Sequence, residues 1–222
     1  MIEYINNEIF KDIKINVRTF ASVNMDANCY LVEINDEYII IDPCVSYNKL
    51  ARFINGDVKG IFITHGHFDH FECLDTYLNN IKDVNVYASK KCFEKIEDNI
   101  KNCSYFMNDI IEFFVDDSQK NIIKNCSLED VFKEIKIIVY ETPGHSDCSL
   151  TFIINDLMFT GDFLFKNSIG RTDLYSGNFN NMEKSLKDLF LIEKNYIVYP
   201  GHGSYTTLNE EKLNNFYLKK YK

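Results

Sequence analysis

The sequence of 222 residues lacks several features that would direct its reading at once. It has no C-x-x-C pair, and its seven cysteines (29, 44, 73, 92, 103, 126, 148) are scattered and odd in number. That spacing argues against a disulfide framework or a cysteine-ligated zinc site and fits reduced cytoplasmic thiols. Positive charge is in deficit: the formal net charge is −9, with no dense Lys/Arg run, so a nucleic-acid backbone is not the expected partner. No apolar run approaches the roughly 18 residues of a membrane helix. The opening MIEYINNEIFKDIKINV lacks the basic start and apolar block of a secretory signal. No repeat and no Pro- or Gly-rich linker divides the chain, so a single domain over 1–222 is expected. These absences leave a cytoplasmic protein acting on a small molecule, without a nucleic-acid or membrane partner, its oligomeric state open.

What is present is a large apolar complement, 45% of residues with 18 phenylalanines, enough for a sizeable core. ANCYLVEI and EYIIIDP, separated by NDE, read as a hairpin. SYNKLARFING reads as a short helix stopped by Gly56, VKGIFIT as a buried strand, ECLDTYLNNI as a helix and VNVYA as a strand. Residues 89–133 fit no period cleanly beyond a possible helix in SKKCFEKIEDNI, and are expected to form an insertion or lid. EIKIIVYET, SLTFIIND and LMFTGD then read as consecutive strands. NNMEKSLKDLFLIEK reads as a helix with Asn180 as N-cap, YIVYPGHG as a strand, and Thr207 with Glu210 as a capping box opening the last helix. Strands and helices alternate in each half, which implies α/β layering.

The chain has only five histidines, and three fall in THGHFDH: His65, His67 and His70, with Asp69 between them. His145 in TPGH and His202 in PGHG follow other strand candidates, as does Asp162 in TGD. Prolines 43, 143 and 200 and glycines 66, 144, 161, 201 and 203 occupy the same turns, which marks loops of defined backbone shape. A lone loop histidine is more often satisfied by backbone hydrogen bonds than by metal. Five in matching turns, with two aspartates, point to metal ligation. Seven donors exceed one tetrahedral ion. Shared between two ions with one bridging carboxylate, they leave positions for water and substrate.

The motifs H-x-H-x-D-H (65–70), TPGH (142–145), TGD (160–162) and PGHG (200–203) resemble the metallo-β-lactamase-fold superfamily over nearly the whole chain. SIGRTDLYSGN (168–178) and PGHGSYTTLNEE (200–211) are similar to the short glyoxalase II-like hydrolases. The resemblance implies an αββα sandwich with its metal site at the edge between two sheets. It implies one ion on His65, His67 and His145, and a second on Asp69, His70 and His202. Asp162 would bridge the two, and Asp69 would orient the attacking hydroxide. Zinc is the expected metal, with iron or manganese as alternatives. Three departures stand out: Cys44 follows Asp42-Pro43 where Gly is usual, Cys148 precedes Ser149 where Gly is usual, and no glutathione-gripping helical extension follows His202.

Such a site would generate a metal-bridging hydroxide near neutral pH. A thioester such as S-lactoylglutathione suits it, because a thiolate with a pKa of about 8.5 leaves without a strong general acid. The GRTD turn also resembles persulfide dioxygenases, which would need one iron on His65, His145 and Asp162. A lactonase or β-lactamase activity is a third reading. Arg171 and Tyr175 are candidates for substrate contact, with Tyr205 nearby. For Arg171 an ion pair with Asp173 that braces the loop is the favoured alternative. Asp42 is a candidate partner for a ligand histidine. The cysteines read as small buried hydrophobes, with Cys148 alone beside the site.

Overall fold

The computed structural model describes residues 4–10, 13–107, 110–132 and 135–222. The stretch read for a secretory signal therefore includes residues 1–3 and 11–12, which lie outside the described ones. The chain opens with β1 (Tyr4–Phe10), β2 (Ile13–Ala21), β3 (Asn28–Ile34) and β4 (Glu37–Ile41), paired antiparallel in sequence order. No strand is expected before Ala27 from the sequence, yet β2 carries a clear signal. Buried Ile15 and Val17 alternate with the polar Asn16 and Arg18, the apolar/polar period of two that marks a strand. The β3–β4 hairpin turns at Asn35 and Asp36, both with positive φ (50° and 60°), the conformation a two-residue primed turn requires.

A βα alternation follows: α1 (Tyr47–Ala51), β5 (Asp57–Phe62), α2 (Leu74–Leu78), β6 (Val86–Ala88), α3 (Lys90–Ile96) and β7 (Lys120–Ile122). β5, β6 and β7 add in parallel beside β4, giving a seven-stranded mixed sheet in the order β1 to β7. The second sheet holds β8 (Cys126–Leu128), β9 (Ile137–Glu141), β10 (Leu150–Ile154), β11 (Leu157–Gly161), then, after the small hairpin β12 (Leu164–Phe165) and β13 (Ser168–Ile169) and the helix α4 (Phe179–Phe190), β14 (Ile197–Pro200) and β15 (Thr206–Thr207). α5 (Leu208–Asn214) closes the order. Residues 89–133, expected to form an insertion or lid, contribute α3, β7 and β8, and so supply one strand to each sheet. Residues 108–109 and 133 of that stretch lie outside the described ones.

Three apolar clusters define four layers. Between the sheets, Ile15, Val17, Val32, Ile39, Ile41 and Phe62 meet Ile137, Val139, Phe152 and Phe159. On the outer face of the first sheet, Leu31, Ile40 and Ile61 pack on Leu50, Leu74, Tyr77 and Cys92 from the three helices. On the outer face of the second, Ile153, Met158 and Val198 pack on Met182, Leu186, Leu189 and Leu208. α4 buries Met182, Ser185, Leu186 and Leu189, an i, i+3, i+4, i+7 stripe. Its N-cap is Asn178 rather than the expected Asn180: Asn178 is extended and its side chain accepts from Asn181 N at 3.0 Å. The Thr207 cap is as expected, its hydroxyl accepting from Glu210 N. The architecture is the αββα sandwich that the resemblance implies.

Phe62 holds the two sheets together. Its ring stacks on Tyr87 at 4.5 Å and meets the edge of Phe152 at 5.3 Å across the interface. A Phe62→Ala substitution removes a fully buried ring from a packed layer and is expected to destabilise the chain by about 3–5 kcal/mol. Urea unfolding followed by circular dichroism measures it, and a loss well under 1 kcal/mol would contradict the packing described.

Candidate metal centre

The buried strand β5 runs into Ile63 and Thr64 and then delivers His65, His67, Asp69 and His70 within one loop. A short 3-10 turn at Phe68–His70 compacts the loop, and Phe68 N is held by Asn102 O at 3.0 Å. His145 follows β9, Asp162 follows β11 and His202 follows β14. The edges of the two sheets are stitched where these loops meet. Leu150 N donates to Thr64 O, Asn28 N to Gly201 O and Gly201 N to Gly161 O, at 2.7–2.8 Å. The Asn28 side chain also donates to Pro200 O and Gly203 O, and the Tyr30 hydroxyl donates to Pro200 O. The NCY start of β3 thereby fixes the loop that carries His202.

Two glycines are required by close approach. Gly161 has φ of +50°, and a Cβ there would lie 2.4 Å from Thr64 Oγ1. A Cβ on Gly201 would lie 2.1 Å from Asp162 Oδ1 and 2.7 Å from His70 Cε1. The TGD and PGHG motifs thus carry glycine because backbone and donor side chains occupy the space of a side chain.

All seven sequence-predicted donors come together. One donor atom each from His65, His67 and His145 lies within 4.8 Å of the others, and the same holds for Asp69, His70 and His202. His67 Nδ1 and His145 Nε2 are 2.7 Å apart. Asp162 lies between the two groups: its Oδ2 is 3.5 Å from both His145 Nε2 and His202 Nε2, and its Oδ1 is 3.2 Å from His70 Nε2. Asp69 Oδ2 is 3.3 Å from His202 Nε2. Six of the seven residues are buried, while the His202 side chain is 27% exposed and opens the site to solvent.

The ring orientations are set by the opposite nitrogens. Asp42, in its left-handed turn (φ 54°), accepts from Thr64 N and Thr64 Oγ1, both at 2.7 Å, and lies 2.9 Å from His70 Nδ1. This is the histidine-orienting role expected of it. His145 Nδ1 donates to Arg171 O at 2.7 Å, and His65 Nδ1 sits 3.1 Å from Thr64 Oγ1. The buried site atoms without an aligned hydrogen bond among the described residues are His65 Nε2, His67 Nε2, His70 Nε2 and Asp162 Oδ1. A cluster of such atoms is costly unless a cation joins it, so the donor set fits divalent metal.

The electrostatics agree. Burial first, then neighbouring histidines, drives His65 well below the usual imidazole value and His67 down to about 3. Burial also lowers His145, against the pull of Asp162. These three rings are neutral at pH 7, the form that ligates metal. For His70, burial is outweighed by the carboxylates of Asp162, Asp69 and Asp42, which raise it. His202 is raised as well, its burial outweighed by Asp69 and Asp162. Asp69 and Asp162 resist burial through His70 and the other facing histidines, and stay below the ordinary carboxylate range.

Arg171 is found in a bidentate pair with Asp173, both bonds 2.7 Å and both side chains largely exposed. Its carbonyl, not its guanidinium, reaches the centre, through His145. Tyr175 and Tyr205 are both exposed, on loops beside His145 and His202. Sequence reasoning missed Lys95. Its side chain is 3% exposed and its Nζ donates to Ser146 Oγ and Ser176 Oγ at 2.6 Å, with Asp147 Oδ1 at 2.8 Å. The lysine fastens the His145 loop to the Arg171–Gly177 loop. The only hint in the sequence is its place on the buried stripe of α3, between Phe93 and Ile96.

An αββα fold that gathers histidines and aspartates at a sheet edge presents a donor set for divalent metal. The chain belongs to the metallo-beta-lactamase superfamily, whose pattern it matches over residues 24–202. It is 31% identical over 209 residues to a probable metallo-hydrolase of Streptococcus pyogenes serotype M6, covering 88% of each chain. It is 29% identical to the hydroxyacylglutathione hydrolase GloC of Haemophilus influenzae, covering 91% of this chain and 98% of that one. The crystal structure of the BLEG-1 B3 metallo-beta-lactamase superposes with a TM-score of 0.82 at 29% identity, covering 91% of this chain and 99% of that one.

Asp147 supplies a pH test of the Lys95 clamp. Burial raises its carboxyl, but hydrogen bonds from Lys91 and Lys95 prevail and hold it at about 2. The unfolded chain takes up this proton first, so the stabilisation is complete above about pH 4 and is lost as pH falls toward 2. Asp147→Asn is expected to melt below the parent at pH 7, with the gap shrinking as pH is lowered through 4. A gap independent of pH would contradict the assignment.

Proposed function

We propose that the chain is a dinuclear metal-dependent hydrolase of a thioester, with S-lactoylglutathione as the representative substrate. The observation that carries this reading is the pairing of two donor triads around one carboxylate. His65, His67 and His145 would hold one ion, Asp69, His70 and His202 the other, and Asp162 would serve both. Zinc is the proposed metal, since imidazole and carboxylate donors suit it. When bound, such a pair supplies Lewis acidity and lowers the pKa of water toward about 7.

The chain's own groups then divide the work. Asp69, ionised and 3.3 Å from His202 Nε2, would accept a hydrogen bond from the attacking water and aim its lone pair. Asp42 fixes the His70 ring, and Arg171 O fixes the His145 ring, so neither donor must reorganise during turnover. Among the described residues the centre is faced by imidazoles and ionised carboxylates, which suits a leaving thiolate better than a leaving amide nitrogen. Arg171 and Tyr175, exposed beside His145, are the proposed contacts for the thiol carrier. The Arg171–Asp173 pair is solvent-screened and could open at little cost. The likeness to GloC supports the thioester class. The free cysteines support a cytoplasmic setting.

The decisive experiment is anaerobic thiol release from S-lactoylglutathione by protein loaded with zinc, manganese or iron, with metal counted per chain. Release at an enzymatic rate with two ions bound is the expected result. No release with any metal would overturn the thioesterase reading and turn attention to oxygen uptake with persulfide, then to ring substrates. A second expectation concerns the ring-orienting carboxylate. Asp42→Ala should weaken divalent-metal affinity by roughly 10–100-fold in a chelator competition, and an unchanged affinity would contradict its role.

A further inference from the structure

Cys148 lies three residues after the ligand candidate His145, and the proposed hydrolysis makes no use of it. Its sulfur accepts from Gly66 N at 3.2 Å and lies 3.1 Å from Ser146 Oγ, which in turn receives Lys95 Nζ at 2.6 Å. The Cys92 thiol, on the first turn of α3, neighbours the same sulfur. The two backbones are also tied through one hydroxyl: Ser89 Oγ accepts from Cys92 N at 3.2 Å and donates to Cys148 O at 3.0 Å. A cavity of about 550 Å³ has Cys148 and Ser89 in its wall, with Lys91, Lys124 and Lys184 together with Glu141, Asp147 and Asp188 among its lining. We propose that Cys148 and Cys92 form a peroxide-oxidisable dithiol, reached through this cavity, that closes to a disulfide.

Three features of the cluster support this. Burial alone would keep the Cys148 thiol protonated. The Cys92 hydrogen bond, the Lys95 charge, Ser146 Oγ and the Gly66 N–H together prevail and bring it below the ordinary thiol range. Cys92 itself is raised well above that range by burial and by Cys148, so it remains a thiol and can serve as the resolving partner. Cys73, more exposed, is pushed up to about 11 by burial and by Glu72 and Asp75. Of Cys73 and Cys148, the more accessible is therefore the less readily ionised.

The chemistry balances with a hydroperoxide as oxidant. The Cys148 thiolate attacks the outer oxygen; an S–O bond forms, the O–O bond breaks, and the remaining oxygen leaves as alkoxide or hydroxide and takes a proton. Cys92 sulfur then attacks the sulfenic sulfur; the S–S bond forms, the S–O bond breaks, and hydroxide departs with the Cys92 proton as water. Two thiols lose two electrons and the peroxide gains them. Since Gly66 lies between His65 and His67, its N–H loses a thiolate acceptor when this happens.

The test is a time course of the purified full chain with hydrogen peroxide, read by differential alkylation and peptide mass spectrometry. The Cys148 thiol should disappear at least about 10-fold faster than that of Cys73. A Cys92–Cys148 linked peptide should appear and be reversed by dithiothreitol. In Cys92→Ser, dimedone should trap a sulfenic acid at Cys148. Oxidation of Cys73 or Cys126 ahead of Cys148 would overturn the proposal. So would consumption of Cys148 in the parent chain without the Cys92 link.

Discussion

The Asp42 carboxylate is the constraint on which the metal centre rests. It is 1% exposed, and a carboxyl group so buried must be hydrogen-bonded. Its three contacts are Thr64 N, Thr64 Oγ1 and His70 Nδ1, drawn from the end of β5 and from the loop that follows it. One side chain after β4 therefore sets where the neighbouring strand ends and how His70, six residues after Thr64, turns. The left-handed turn at Asp42 aims the carboxylate at Thr64, and Asp42 N is itself held by Phe62 O.

From that anchor the site extends across the two sheets. Thr64 O receives Leu150 N from the second sheet, and Thr64 Oγ1 leaves no room for a side chain on Gly161. Gly161 O receives Gly201 N, and Gly201 O receives Asn28 N from the first sheet. The chain of contacts passes from β5 to β10, β11 and β14 and returns to β3. The donors sit on loops, but the loops hang from strand ends locked by backbone hydrogen bonds and by the apolar layer around Phe62 and Phe152. That rigidity lets histidines and ionised aspartates face one another in a buried space.

Much of this was legible in the sequence, for identifiable reasons. The β3–β4 hairpin carries its turn residues, α4 its apolar stripe, and α5 its Thr207 cap. The donors stood out because five histidines all fall at strand-to-loop junctions. Residues 89–133 were not legible. β7 and β8 have three residues each, too few to show a period, and their strand conformation comes from pairing with β6 and β9. β1 and β2 were passed over although Ile15 and Val17 alternate correctly. The Asn180 cap was misplaced because Asn178 and Asn180 carry the same side chain, and only backbone conformation separates them.

By itself the sequence determined the class of fold, the alternation of its elements and the set of residues able to hold metal, because these follow from residue type, spacing and turn chemistry. Tertiary structure decided which nitrogen of each imidazole faces inward, since that depends on where Asp42 and Arg171 O fall. It also decided that Lys95 clamps two loops and that Cys92 lies against Cys148, contacts between residues more than fifty positions apart. Local patterns encode what a segment can become. Only packing brings distant segments close enough to set a charge, a tautomer or a reactive thiol.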